Sequence, residues 1–466
     1  MYRSLLLALP LATLASLACA QNLLGDNDAF IDQLGDDNAG AITQTGAGNQ
    51  AGLEADVMLQ DGQFNALTIT QTGIGNAVGT EGEGLFQLGR QNTPTVFNQI
   101  TITQAGNGQL VGEVDQQSVG SIANGANEMV ILQNGGDGNV VSEARQLQAS
   151  GMARNIMDIT QTGEANRISL ATQLATSDEL SGAPNTIRVR IVGSRNGQSA
   201  LRAPAIVPFA RDSAFVQEGG SADNRSNGNS IDVLILGNDT AFGIRQGGRD
   251  NDVGFITIEG DFNDLGIRQD GDQNTVTMTT VEGSGNVMGI DQLGTNTTQL
   301  SLIGFSDDNL VSVFQQGTND AFLVIEGDAN SITVAQNFLD ALGGDNSASI
   351  EVRGTSNAVD LTQEGQNTAE IVIEGSANNA PLFSLPRTTF EGVMIGSYAQ
   401  RGFDNRLDIG VIGDSNVSTT LQAGDLNSIL LRVSGDDNEA LLLQRGNANT
   451  AHLTQRGTGN TATIRQ

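Results

Sequence analysis

Residues 444–466 read QRGNANTAHLTQRGTGNTATIRQ, and this stretch decides the fold. It states one phrase twice: Gln444, Gly446 and Asn449 return eleven residues later as Gln455, Gly457 and Asn460, and Gln466 opens a third round. Between each Asn and the next Gln the apolar residues alternate, as Ala451 and Leu453 and then Ala462 and Ile464. A period of two is the mark of a strand with one buried face. The glycine that follows supplies the positive φ of a tight turn.

The phrase continues upstream at the same step, through Gln400-Gly402-Asn405, Val411-Gly413-Asn416, Gln422-Gly424-Asn427 and Val433-Gly435-Asn438. Residues 243–251 (GIRQGGRDN) and 266–274 (GIRQDGDQN) repeat it 23 residues apart, with Gln246, Gly248 and Asn251 matched by Gln269, Gly271 and Asn274. Over the middle of the chain Gln246, Gln269, Gln292, Gln315, Gln336 and Gln363 alternate with Ile258, Val281, Leu302, Ile325, Val352 and Ile373. Nearer the N-terminus Gln33, Gln44, Gln60, Gln71, Gln87 and Gln104 are spaced by 11, 16, 11, 16 and 17 residues, with Gly46-Asn49 and Gly73-Asn76 in step and Gln161-Gly163-Asn166 further on. The surplus residues fall after alternate units, where a loop can bulge without disturbing a stack.

Two units make a strand-turn-strand-turn rung of about 22 residues, and rungs stacked at ~4.8 Å pair every backbone group with a neighbouring rung. The expected fold is all-β, a β-solenoid of about twenty rungs and roughly 95 Å. In such a stack a buried Gln or Asn bonds to its copy one rung away, whereas an unpaired buried amide is costly. Uniform columns of amide and of aliphatic residues are therefore expected. Two longer excursions, near 197–216 and 379–397, hold Pro204, Pro208, Pro381 and Pro386 together with Phe209, Phe215, Phe383, Phe390 and Tyr398; proline keeps them out of the ladder interior.

Composition agrees with one long array. No shift in composition divides the 466 residues, 59 of them are Gly, aromatics are 4%, and every one of the 22 basic residues is Arg. Each interior glycine disfavours a helix by about 1 kcal/mol. Residues 1–20 differ: Arg3, the apolar run Leu5–Leu17 and Ala18-Cys19-Ala20 read as a secretory signal peptide, leaving 21–466 as the repeat solenoid. Acylation of Cys19 is the lesser alternative, since Ser16 and Leu17 fit a lipoprotein box poorly. Cleavage removes the only cysteine, so no disulfide is expected. No other run approaches the ~18 apolar residues of a membrane span. The mature charge, 53 acids against 21 arginines or −32, argues against nucleic acid as a partner.

Catalytic chemistry is sparse. The mature chain has no Cys and no Lys, and its one histidine, His452, falls in an outward strand slot. No enzyme is expected. Asp36-Asp37, Asp307-Asp308 and Asp436-Asp437 read as solvated turn acids. Asp137, Asp272, Asp328, Asp345, Asp414, Asp425 and Asp436 follow turn glycines and would stack in columns, which leaves structural calcium open, although calcium β-rolls use a nine-residue pattern. The threonines of LTIT (67–70) and TITQ (101–104) read as exposed strand positions.

With these residues quoted, the chain resembles the curlin repeat family, the subunits of curli-type functional amyloid in Gram-negative bacteria. Gln455-x-Gly457-x-x-Asn460-x-Ala462 closing on Gln466 matches the family repeat, and Gln71-Gly73-Asn76-Ala77 and Gln44-Gly46-Asn49 come close. The resemblance implies a secreted subunit that stacks into cross-β fibres for biofilm matrix and adhesion. It also implies export through an outer-membrane pore and seeding by a nucleator subunit. The alternative is a surface-displayed or secreted monomeric β-solenoid adhesin. Its ends would need caps, whereas the chain stops at TATIRQ in mid-rhythm, which favours the fibre.

Overall fold

The computed structural model describes residues 26–79, 84–89, 98–118, 127–148, 154–175, 183–202, 212–219, 226–304, 306–337, 345–379, 389–390 and 393–466. The proposed signal peptide, 1–20, lies outside them, as do all four excursion prolines. The described residues contain strands and turns and no helix, so none is long and apolar enough to cross a membrane.

The strands coil into a β-solenoid whose two walls each pair in parallel with the rung before and after. Alternate residues point inward, and both walls contribute to one continuous aliphatic core that includes Leu67, Ile69, Ile131, Val189, Ile267, Ile350 and Leu431. Each such side chain contributes about 1.5–3 kcal/mol by burial. The strands Val287–Ile303 and Leu310–Glu326 run unbroken through a corner and pair along their whole length. Following the register from Gln33 to Gln466 gives about sixteen rungs, not twenty, and a length of roughly 75 Å at ~4.8 Å per rung. The difference comes from rungs longer than 22 residues.

Those long rungs are lengthened on one side only, in the first wall, which carries Gln33 and Gln60, and not in the second, which carries Gln44 and Gln71. In the half-rung before each turn glycine of the second wall, Asn65 to Asn76 and Asn427 to Asn438 are eleven residues apart, Asn251 to Asn263 twelve and Asn296 to Asn309 thirteen. The other half runs from ten residues (Asn286 to Asn296) to thirty-three (Asn196 to Asn229). Every insertion of more than two residues therefore enters the first wall or the corner after it. Loop closure entropy does not explain the asymmetry, since doubling a loop costs only about 0.6 kcal/mol wherever it is placed.

The excursions prove shorter than the sequence implies, because two of their aromatic residues belong to the core. Phe215 is fully buried and stacks on Phe242 with centroids 5.0 Å apart. Tyr398 is buried too; its hydroxyl sits 2.5 Å from Ser418 Oγ and accepts from Asn379 Nδ2 at 2.6 Å.

Candidate self-assembly site: stacked amides and glycine corners

The first wall, here the glutamine wall, carries an inward Gln in every rung. From Gln173 onward its amides form one unbroken ladder through Gln217, Gln246, Gln269, Gln292, Gln315, Gln336, Gln363, Gln400, Gln422 and Gln444 to Gln466. Each Nε2 donates forward to the next Oε1 at 2.8–3.1 Å, as at Gln246–Gln269 (2.8 Å) and Gln422–Gln444 (3.1 Å). The remaining N–H is taken by a backbone carbonyl, for instance Asp252 for Gln269. Gln33, Gln60 and Gln87 form the same links at the other end. Between them Gln116, Gln146 and Gln173 keep register, but their buried Oε1 atoms have no hydrogen-bond partner.

The second wall is mixed. Gln44, Gln71, Gln104, Gln133 and Gln161 are bonded in series. The column then turns aliphatic at Ile191 and continues through Ile235, Ile258, Val281, Leu302, Ile325, Val352, Ile373 and Val411 to Val433 before Gln455 restores the amide. Uniformity thus holds in blocks. At the last boundary Gln455 Oε1 is buried without a partner, because the position above it is Val433, which has no donor.

Asparagine fixes both corners. Asn49, Asn76 and Asn166 lie in one corner column with Asn460. Asn251, Asn274, Asn405, Asn427 and Asn449 lie in the other. At Asn251, Oδ1 accepts the backbone N–H of Asn274 and its Nδ2, while Nδ2 donates to the Gly271 carbonyl at 2.8 Å. One side chain thereby satisfies both a carbonyl and N–H groups of the turn in the next rung, which aspartate or leucine could not do.

The turn glycines Gly46, Gly73, Gly163, Gly248, Gly271, Gly402, Gly424, Gly446 and Gly457 all have positive φ. The residue two places later is left-handed too and need not be Gly: Ala165, Phe262, Ser415, Leu426 and Ala448 sit at φ 56–58°. Leu426 is exposed, so it gains nothing from burial to offset the strain. Leu426→Gly is expected to raise the unfolding free energy by about 1 kcal/mol in denaturant titration.

The acids after the turn glycines bond within the stack. Asp137 accepts the N–H of Asn107, Asp272 that of Arg249, Asp328 that of Asp307, Asp414 that of Ser376, Asp425 that of Phe403 and Asp436 that of Asp414. Such a carboxylate does for one turn what Asn does for the corner. Among the described residues no cluster of three or more His, Cys, Asp or Glu is arranged to hold a metal ion. His452 is exposed on the mixed wall, 3.3 Å from Thr454 Oγ1.

One titratable group stands apart. On the outer side of the glutamine wall Arg245, Arg268 and Asp291 share a column, with Arg268 also 3.2 Å from Asp270. Burial pushes the Asp291 carboxyl up to about 6, against the pull of Arg268 at 3.5 Å. A folded-state value above the unfolded one favours the protonated native state, so this contribution to stability is full below about pH 4 and is lost as pH rises through 6. Asp291→Asn is expected to gain up to about 3 kcal/mol relative to wild type between pH 4 and pH 8. Unfolding curves of both proteins at the two pH values measure it.

Five ladder residues escape the repeat rule: Gln116, Gln133, Gln146, Gln173 and Gln217 all lack an Asn five places later, and Gln116, Gln146 and Gln173 also lack the Gly two places later. Their alternating neighbours, such as Met129 and Ile131 before Gln133, were the available signal. Residues 435–466 match the family model of the curlin associated repeat. No curated protein matches the chain. The matched segment holds Gln444, Gln455 and Gln466 with Asn438, Asn449 and Asn460, and the same two amide corners run through the rungs upstream.

Proposed function

We propose that this chain, whose residues 435–466 carry the curlin associated repeat, is a secreted structural subunit that polymerises into curli-like amyloid fibres of the extracellular matrix. The observation that supports the reading is the in-register parallel stack. Each rung offers its neighbour the same row of backbone groups and one inward Gln, with Asn at both corners except where Gln109 and Thr240 stand, so a rung edge of one copy is complementary to a rung edge of another. A partner of the same sequence extends the ladder without any new chemistry. Biofilm cohesion and surface adhesion follow as the role of such fibres. A nucleator subunit and an outer-membrane export pore are the further partners that a curli-type subunit would use.

The test is to purify residues 21–466 and follow them by thioflavin T fluorescence, electron microscopy and fibre diffraction. Fibres with ~4.7 Å meridional and ~10 Å equatorial reflections are expected. A monomer that stays soluble at high concentration and never gives the ~4.7 Å reflection would refute the fibre reading in favour of a monomeric adhesin.

A further inference from the structure

The walls differ on their outer sides. On the glutamine wall several outward residues are buried by the chain itself, among them Asp264 and Asp291 and, further on, Ala399, Leu421 and Leu443, which form an apolar cluster of their own, while Leu34 and Leu310 stay exposed. On the mixed wall the outward residues stay open, and large apolar groups stand among them: Val192 at 42%, Phe255 at 47%, Phe322 at 42% and Ile412 at 51% exposure. This is also the wall whose half-rung never exceeds thirteen residues while the other reaches thirty-three. Since the fold tolerates loops at little free-energy cost, a wall kept free of them over about sixteen rungs is constrained by something outside the rung.

We infer that the outer side of the mixed wall is a lateral interface, and that its partner is the same wall of a second copy of this chain, so that solenoids pack as face-to-face pairs. Area supports it: a strand of eight residues at ~3.3 Å and a stack of ~75 Å make a flat surface of about 2,000 Å², and half of that already exceeds the ~800 Å² per partner of a standard interface. Charge sets a condition on it. Three ion pairs close within this wall, Arg190 with Asp232 (3.0 Å), Arg353 with Glu351 and Arg432 with Asp408 (2.7 Å), while the outward acids Glu259, Asp320 and Glu370 carry no ion pair among the described residues, so pairing of like faces is expected to strengthen with salt. The first three rungs show only uncharged side chains, among them Thr43, Thr45, Thr70 and Thr103. Once the excess acids are screened, a like face covers Phe255 and Phe322 with apolar surface. Arg190 stacks over Phe255 at 5.3 Å and leaves the other ring face free.

This inference rests on the fibre reading for its filament form, and the test separates the two. Mass per length of wild-type filaments, from dark-field electron microscopy, is expected to correspond to two chains per ~75 Å of axis. The double variant Phe255→Glu/Phe322→Glu is expected to halve it while filaments still form. Leu310→Glu, exposed on the outer glutamine wall, serves as control and is expected to leave it unchanged. Wild-type filaments of one chain per ~75 Å overturn the inference, as does a doubled value that survives in the variant. Should no filament form, the fibre reading fails alone: sedimentation showing a wild-type dimer that the double variant dissociates upholds the pairing, and a monomer overturns it. Circular dichroism of the variant establishes that its fold is intact in either case.

Discussion

Gln269→Leu should lower the unfolding free energy by about 2–5 kcal/mol, although leucine is the more hydrophobic residue and the site is fully buried. The substitution removes three hydrogen bonds at once: Nε2 to Gln292 Oε1 at 2.9 Å, Nε2 to the Asp252 carbonyl at 3.1 Å, and Oε1 from Gln246 Nε2 at 2.8 Å. Leucine returns burial on the order of 1–2 kcal/mol, but Gln292 Oε1 is left without its donor in the core, and each orphaned buried group costs about 1–3 kcal/mol. The same chemistry applied at Gln455 should cost much less. Gln455 Oε1 already lacks a partner beneath Val433, so Gln455→Val removes an orphan, which offsets the loss of the Nε2 bonds to the Glu439 and Asn460 carbonyls (2.9 and 3.3 Å). Paired urea titrations of the two variants measure the contrast. Equal losses at both sites would show that burial, and not column continuity, governs these positions.

The second large effect is expected at the glycine corners. A Cβ on Gly354 would lie 2.0 Å from the Gly375 carbonyl oxygen and 2.8 Å from its carbon, at a φ of 101° that an L residue rarely adopts. Neither contact involves a flexible side chain, so the rungs themselves must separate. Gly354→Ala is expected to cost at least about 3 kcal/mol, combining left-handed strain with lost inter-rung hydrogen bonds. Gly75, which meets nothing within 4 Å, has a positive φ of 68° as well, and Gly75→Ala should cost only the strain, about 1 kcal/mol. The difference between the two thermal shifts isolates stacking from backbone preference.

How far the sequence disclosed these features depended on the wall. From Thr240 to Ile303 and from Gln400 to Gln466 the half-rungs are of near-equal length, so the period announces strand, turn and ladder residue together. In the first six rungs the glutamine-wall strand is interrupted, as where Leu53 and Asp56 bond to each other in a turn between Ala51 and Met58. There the spacing no longer locates Gln116 or Gln146. The block change at Ile191 is visible in the sequence as one substitution, yet that it begins a column of aliphatic residues depends on which strands are neighbours, a relation that rung length hides. The turn acids were ambiguous for another reason. Asp after Gly suits a cation as well as an N–H, and only the neighbouring rung's backbone, 3.0 Å away at Asp436, distinguishes them.

The direction of the side-chain amides has a consequence for growth. Core glutamines donate forward along the axis, Gln315 to Gln336, while corner asparagines place their carbonyls forward and accept from the next rung, Asn416 from Asn438. The two sets of amide dipoles are therefore opposed. A helix adds all its peptide dipoles with one sign and ends in partial charges. Here the core Oε1 and corner Oδ1 atoms point opposite ways along the axis, so the side-chain amides add less axial field per rung than they would with a single sign.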